Sequence, residues 1–389
     1  MSQRDVPFTL PTPVLRVLQL LVAVGLAALA VGLRVAPQRT WAGFLLSSYF
    51  MLELSLAGVF LIAAHYVSGS NWLSALRRVP EAMAAILPVG AIGLLIVLLV
   101  YPKLYPWTTE LAPPGTAVLA FKRLWLSRPF FLARAVLYLA CWVGFATAIV
   151  RTSRRQDRNG DPMLTRRNVR LSAEFLAVLT VTLPLASFDW IMSLEPQWYS
   201  TIFFFYDFAS MFLGGLAAVT ILVIWVRRLA PDSFPITAGH LHDLGKLLFA
   251  FSIFWAYIWF CQYMLIWYGD IPEESSYFIE RQRGSWAALF LLNLILNWAV
   301  PFLALMSQKA KQTARTLLVV AIVVLTGRVL DLYLAILPQF AGPKPLMGVW
   351  EVGPVLGAVG LFALAFFSSL RRAPLVPLGD PGLAESLRR

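Results

Sequence analysis

The chain has 389 residues, of which 59% are hydrophobic and 13% charged, and its mean hydropathy is +0.73. A soluble protein carries about 25% charged residues, so this composition excludes a soluble globular domain and indicates an integral membrane protein. The only cysteines, Cys141 and Cys261, exclude a CxxC metal site and an iron–sulfur cluster bound by four thiolates.

Ten hydrophobic stretches are long enough to cross a bilayer, which takes roughly 20 helical residues. They are longer than barrel strands and lack two-residue alternation, so the sequence predicts an all-α protein. The first stretch follows Arg4 and Arg16, but its apolar run exceeds a signal-peptide core, which favours an uncleaved helix. The predicted spans are 14–34, 41–67, 82–101, 130–150, 171–191, 202–226, 246–269, 285–306, 315–337 and 350–370.

The net charge of +12 would suggest a nucleic acid partner in a soluble protein, but here the basic residues follow the topology. Ten spans place both termini and the 2–3, 4–5, 6–7 and 8–9 connections on one side, with about two thirds of the 32 Lys and Arg. We call this side the basic face. The positive-inside rule predicts that it is cytoplasmic, and no nucleic acid partner is expected. The tail 371–389 is expected to be cytoplasmic and to fray.

The order of the spans suggests an internal duplication. Spans 2–5 and 6–9 have the same orientations, which predicts two parallel four-helix bundles flanked by spans 1 and 10 within a single transmembrane domain. Asp189 ends the fourth helix of the first unit, and Asp331 lies near the end of the fourth helix of the second.

Ionisable residues inside predicted spans suggest a proton route, since a charge in the hydrocarbon is expensive. At about 1.5 Å per residue they fall at three depths. Glu53 lies near mid-membrane, and His65 and Glu174 lie near the basic face. The outer group is Asp189, Glu195, Asp207, Asp331, Arg134 and Glu351. A structural role is the alternative, because Arg328 can pair with Asp331 one turn away and Arg134 can neutralise Asp207 or Asp189.

No cofactor site follows from the residues themselves. A b-type haem needs two axial ligands in the membrane, usually histidines, and only His65 lies there. His240 and His242 are two residues apart and do not share a helix face, so no metal site is expected. The aromatic segment 251–270 could line a quinone cleft, although interfacial belts explain most such residues.

Three segments together resemble a known family: SFDWIMSLEPQWYST (187–201), HDLGKLLFAFSIFWAYIWFCQYMLIWYGDIPEE (242–274) and GRVLDLYLAILP (327–338). They are similar to the second polysulfide-reductase-type membrane subunit, the ActF type, of alternative complex III. That complex is a bacterial quinol:cytochrome c oxidoreductase, found in the inner membrane. The segments place candidate polar residues at Asp189 and Glu195, at Lys246 and Tyr263, and at Arg328 and Asp331.

The resemblance implies an assembly. The expected partners are an NrfD-like sister subunit that oxidises quinol, an iron–sulfur subunit, multihaem and monohaem c-type cytochromes and lipids, and a terminal oxidase is a further candidate partner. Haem and iron–sulfur clusters would belong to these partners, and this chain would supply a proton route and support without a redox cofactor of its own. Three alternatives stay open: a quinone-binding subunit in its own right, a secondary transporter, and a pure scaffold.

Overall fold

The computed structural model describes residues 10–109, 117–342 and 344–388. Every regular element in these ranges is helical, and ten helices are long and apolar enough to cross a membrane. The chain is therefore an all-α, multi-pass membrane protein, as predicted. The spanning helices are α1 Thr12–Val35, α2 Pro37–Ser68, α3 Arg78–Val100, α4 Arg128–Asn159, α5 Pro162–Trp190, α6 Phe203–Leu229, α7 Ala238–Gly269, α8 Trp286–Ala304, α9 Ala314–Ile336 and α10 Val349–Leu370.

The helices pack as two four-helix bundles. In the first, α2 contacts α3, α3 contacts α4, α4 contacts α5 and α5 returns to α2; α6, α7, α8 and α9 close the second in the same order. The bundles meet mainly where α2 packs against α6. Helices α1 and α10 pack on each other antiparallel and lie against α2, so α2 is buried along most of its length.

Small residues allow the closest helix contacts. A Cβ added at Gly215 of α6 would lie 2.1 Å from the Cβ of Ala57 on α2, and one at Gly25 would lie 2.4 Å from the Cα of Gly357. No side chain fits at these separations, so glycine lets the two backbones approach, as is common between membrane helices. The α2–α6 contact positions the polar residues described below.

The connection between α4 and α5 differs from the prediction. The residues between predicted spans 4 and 5 lie mostly on helical extensions of α4 and α5, and the chain reverses at Gly160 and Asp161. These extensions carry seven arginines: Arg151, Arg154, Arg155, Arg158, Arg166, Arg167 and Arg170. Gly160 has φ +62°, which glycine adopts without strain, and the Asp161 side chain accepts a hydrogen bond from the Met163 amide at 2.8 Å. The basic surface here is therefore a helical hairpin.

The C-terminal tail is docked, so the expectation that it frays is wrong for residues 371–388. The hydroxyl of Ser386 donates to the Trp72 carbonyl at 3.1 Å and accepts from the Ala75 amide at 3.1 Å. Asp380 pairs with the buried Arg77. The tail thus covers the connection between α2 and α3 on the basic face.

Candidate functional site

A buried cluster of charged residues lies where the two bundles meet. Arg328 on α9 donates from Nε to Glu53 of α2 at 3.1 Å and from Nη1 to Asp331 at 2.5 Å. Its Nη2 contacts Glu53 and reaches Asp207 of α6 at 3.2 Å. All four side chains are almost completely buried. We call Glu53, Asp207, Arg328 and Asp331 the central cluster.

Four neutral side chains donate hydrogen bonds to the central cluster. They belong to α2, α5, α6 and α8, so both bundles contribute. The donors are Tyr49 at 2.6 Å and Ser187 at 2.5 Å to Asp207, and Tyr206 and Asn293, the latter at 2.8 Å, to Asp331. These bonds hold the carboxylates in place but bring no positive charge.

The charges of the central cluster do not balance if every group is ionised. One guanidinium faces three carboxylates, which leaves two negative charges away from water. Isolated buried charge costs several kcal/mol, and such groups take up a proton instead. The cluster is therefore suited to hold at least one exchangeable proton, with Arg328 as the permanent positive charge.

A polar route leads from the central cluster toward the outer face, the side opposite the basic face. A cavity of about 20 Å³ beside Asp331 extends to Tyr277 and Arg281, and this is room for about one water molecule. Arg281 donates to Glu195 at 2.5 Å, and the Glu195 side chain is 19% exposed. Glu195 thus ends a chain of polar groups that begins at Asp331.

Tyr277 and Arg281 lie on the short outer helix Pro272–Arg281, outside the spanning helices. Burial raises the pKa of Tyr277 to about 12, so its hydroxyl stays protonated. Burial alone would lower the pKa of Arg281, but Glu195 and Tyr277 outweigh burial and raise it. Arg281 is therefore a fixed cation, and it is buried although it lies in the connection between α7 and α8.

Along α2 the route does not continue toward the basic face. Between Glu53 and His65 the buried positions of α2 are apolar except Ser55, whose hydroxyl donates to the Met51 carbonyl of its own helix. About 18 Å of helix separates Glu53 from His65. Helix α2 thus provides no polar connection between the central cluster and His65.

Asp189 forms a separate site. Arg134 of α4 binds it through two hydrogen bonds, at 2.9 and 2.8 Å, and the Trp125 indole donates to it at 2.9 Å. The guanidinium of Arg134 also lies 3.9 Å from the centre of the Trp125 ring. Arg134 therefore neutralises Asp189, one of the two pairings that the sequence allowed. An aromatic cavity of about 260 Å³ adjoins Asp189 and is walled by Phe188, Trp125 and Trp198.

A third charged cluster on the basic face was not anticipated from the sequence. Arg77 pairs with Glu81 at 3.1 Å and with Asp380, while Arg78 pairs with Glu81 and Asp157. Burial alone would lower the pKa of Arg77, but Tyr66, Glu81 and Asp380 outweigh burial and raise it. This cluster joins the α2–α3 connection, the end of α4 and the tail.

The predicted depth of Glu53 relative to Asp207 and Asp331 is wrong. Glu53 is not deeper than Asp207 and Asp331, because one guanidinium contacts all three. Helix α2 begins earlier than predicted, at Pro37, and its outer end is tied to α10 by an Arg39–Glu351 pair at 2.7 Å. The middle of α2 therefore lies level with the start of α6.

Four other predicted residues lie away from the central cluster. Glu174 is 45% exposed and pairs with Arg170 at 2.9 Å. His65 is buried, and its Nδ1 lies 3.2 Å from the Ser70 hydroxyl. The two residues thus have separate partners and do not form a shared proton entry on the basic face. Lys246 is 56% exposed and pairs with Asp243 at 2.7 Å. Tyr263 packs on the rings of Trp259, Phe278 and Phe290 beside the outward route.

Some residues of the site were missed although a signal was present. Tyr49 precedes Glu53 by one turn of α2, and Asn293 and Asn297 lie one turn apart in the otherwise apolar α8. The Nδ2 of Asn297 donates to the Asn293 side chain at 2.7 Å. Uncharged polar residues at helical spacing within a span would have indicated a polar face.

No protein-family model matches this chain, and no curated protein matches its sequence. Within the described ranges, no group of three His, Cys, Asp or Glu side chains is arranged to hold a metal ion.

Proposed function

We propose that this chain is a membrane subunit of a respiratory quinol:cytochrome c, or other electron acceptor, oxidoreductase, and that its central cluster stores and exchanges protons. The observation that carries the proposal is the arrangement of three carboxylates around Arg328 at the contact between the bundles. An excess of buried carboxylates over cations in a membrane domain is typical of groups that take up and release protons.

The resemblance to the ActF-type subunits supports the same proposal. Ser187 belongs to the first family-like segment, and Arg328 and Asp331 belong to the third. These segments lie far apart in sequence, yet Arg328 and Ser187 both contact Asp207. Proton exchange with the outer face would run from Asp331 past Tyr277 and Arg281 to Glu195.

The wider assignment follows from the resemblance. The partners would be an NrfD-like quinol-oxidising sister subunit, an iron–sulfur subunit and c-type cytochromes, which would carry the redox cofactors. The membrane would be a bacterial inner membrane, with both termini in the cytoplasm as the positive-inside rule suggests. Purification of the tagged full chain from its native membrane should then yield haem and iron–sulfur absorbance at fixed stoichiometry. A chain isolated without such subunits would contradict the assembly.

Replacing Asp331 by Asn tests the proton role. The variant keeps the shape of the side chain but removes one proton-binding group, so we expect assembly to be retained and quinol turnover to fall by about tenfold or more. The measurement is turnover together with the proton-to-electron ratio of the purified complex in vesicles. Glu174→Gln is the matched control and should change neither quantity, because Glu174 is exposed. An assembled Asp331→Asn complex with full turnover and an unchanged ratio would exclude the proton role.

A second candidate function, quinone binding by this chain itself, is favoured by the cavity beside Asp189. Its volume of about 260 Å³ is near the lower end of small-molecule pockets, roughly 300 Å³, and its walls are aromatic. Irradiation with an azido-quinone should label Phe188 or Trp198 if this function is correct, and Phe188→Ala should reduce that labelling. The absence of label in this chain, with label in a partner subunit, would remove this candidate.

A further inference from the structure

A cavity of about 390 Å³ opens on the basic face of the second bundle, away from all three charged clusters. It lies between the end of α6, the α6–α7 connection and the start of α9. Its walls are mainly apolar: Ile224 and Phe234 are buried, and Pro231, Pro235, Ile236 and Ala314 complete the lining.

Two arginines provide the charge of this cavity. Arg227 and Arg228 form the last turn of α6, and both line the cavity. Among the described residues no carboxylate forms a salt bridge with either guanidinium. Asp232 lies in the same connection but is not part of the lining. Two arginines thus line an apolar cavity, and neither forms a salt bridge within the described part of the chain.

The other side of the cavity is also favourable to an anion. Ala314 is the first residue of α9, a 23-residue helix whose axis begins there. The first amide groups of a helix lack internal acceptors and carry partial positive charge. The cavity therefore combines cationic groups with an apolar wall, at the level where a spanning helix leaves the membrane.

We propose that this cavity binds the phosphate headgroup of an anionic phospholipid, with Arg227 and Arg228 on the phosphate and the first acyl carbons against Pro231 and Pro235, which are the exposed apolar residues of the lining. Basic pockets between spanning helices are suited to such headgroups, and each arginine adds to the attraction. The apolar lining distinguishes this ligand from a soluble phosphate, which would gain nothing from contact with Pro231 and Pro235. The proposal is independent of the proposed function.

Thermal unfolding of the purified full chain in neutral detergent tests the site. Short-chain phosphatidylglycerol should raise the Tm, since a ligand that binds the folded state stabilises it, whereas phosphatidylcholine and inorganic phosphate should have little effect. Arg227→Gln with Arg228→Gln should weaken the apparent affinity for phosphatidylglycerol by roughly 30-fold. Arg166→Gln with Arg167→Gln, an exposed pair on the same face, is the matched control and should bind as the unmodified chain does.

A second variant separates shape from charge. Ala314→Trp fills the cavity without changing the net charge, and it should also reduce the response to phosphatidylglycerol while the Tm without lipid shows whether the fold is kept. An unchanged affinity in the Arg227/Arg228 variant overturns the proposal. An equal response to inorganic phosphate also overturns it, because the ligand would then be a soluble anion.

Discussion

Replacement of Arg328 by Gln is expected to lower the free energy of unfolding by roughly 3–5 kcal/mol. The physical reason is that, in the part of the chain that the structure describes, this guanidinium is the only cation that pairs with Glu53, Asp207 and Asp331. Its removal leaves three buried acids to share hydrogen bonds from neutral groups, and breaking a buried pair by removing one partner is strongly destabilising. The measurement is thermal unfolding of the purified chain, with its yield in monodisperse form.

Two further variants sharpen the test of Arg328. Arg328→Lys keeps the positive charge but cannot present three nitrogens to three carboxylates, so its stability should lie between those of the unmodified chain and Arg328→Gln. Arg170→Gln removes an arginine that is 84% exposed and should cost less than about 1 kcal/mol. Equal stabilities for Arg328→Gln and Arg170→Gln would show that the central cluster does not depend on charge compensation.

Replacement of Arg134 by Leu is expected to have an effect of similar size, roughly 3–5 kcal/mol, because it leaves the Asp189 carboxylate buried beside the Trp125 indole without the cation that pairs with it. It also removes the hydrogen bond from Arg134 to the Trp125 carbonyl at 2.8 Å, which fixes the outer helix Ala117–Trp125 to α4. Thermal unfolding measures the loss.

A double-mutant cycle distinguishes a structural pair from a functional carboxylate. If Arg134 and Asp189 serve only each other, Arg134→Leu with Asp189→Leu should be more stable than Arg134→Leu alone, and the complex should keep its turnover. Loss of turnover in a stable double variant would instead assign Asp189 a part in the reaction. A double variant no more stable than the single one would contradict charge burial as the cause of the loss.

The Asp189 site and the central cluster differ in their balance of positive and negative charge. At Asp189 one cation meets one carboxylate, which gives a neutral pair with little reason to exchange protons. In the central cluster one cation meets three carboxylates, which leaves a proton to be held. Asp189 is the residue that first attracts attention in the sequence, but charge balance makes Asp331 and its neighbours the stronger candidates for proton exchange.

The sequence by itself determined the class of protein and the number of spans. Hydrophobic length is a local property, and a membrane helix must satisfy its own backbone, so each span can be identified without knowing its neighbours. The same property identified Glu53, Asp207, Arg328 and Asp331 individually, because each interrupts an apolar stretch. The basic face could be defined in the same way, from the distribution of Lys and Arg among the connections.

Only the tertiary structure decided which of these residues meet. Depth counted along one helix assumes that all helices begin at the same level, whereas the outer end of α2 extends beyond the start of α6 and brings Glu53 level with Asp207. The basic-face cluster depends on Asp380, which pairs with Arg77 across some three hundred residues of sequence. Close packing, as at Gly215 and Ala57, determines which helices contact each other. The spacing of residues along a single helix does not indicate which other helix it will contact.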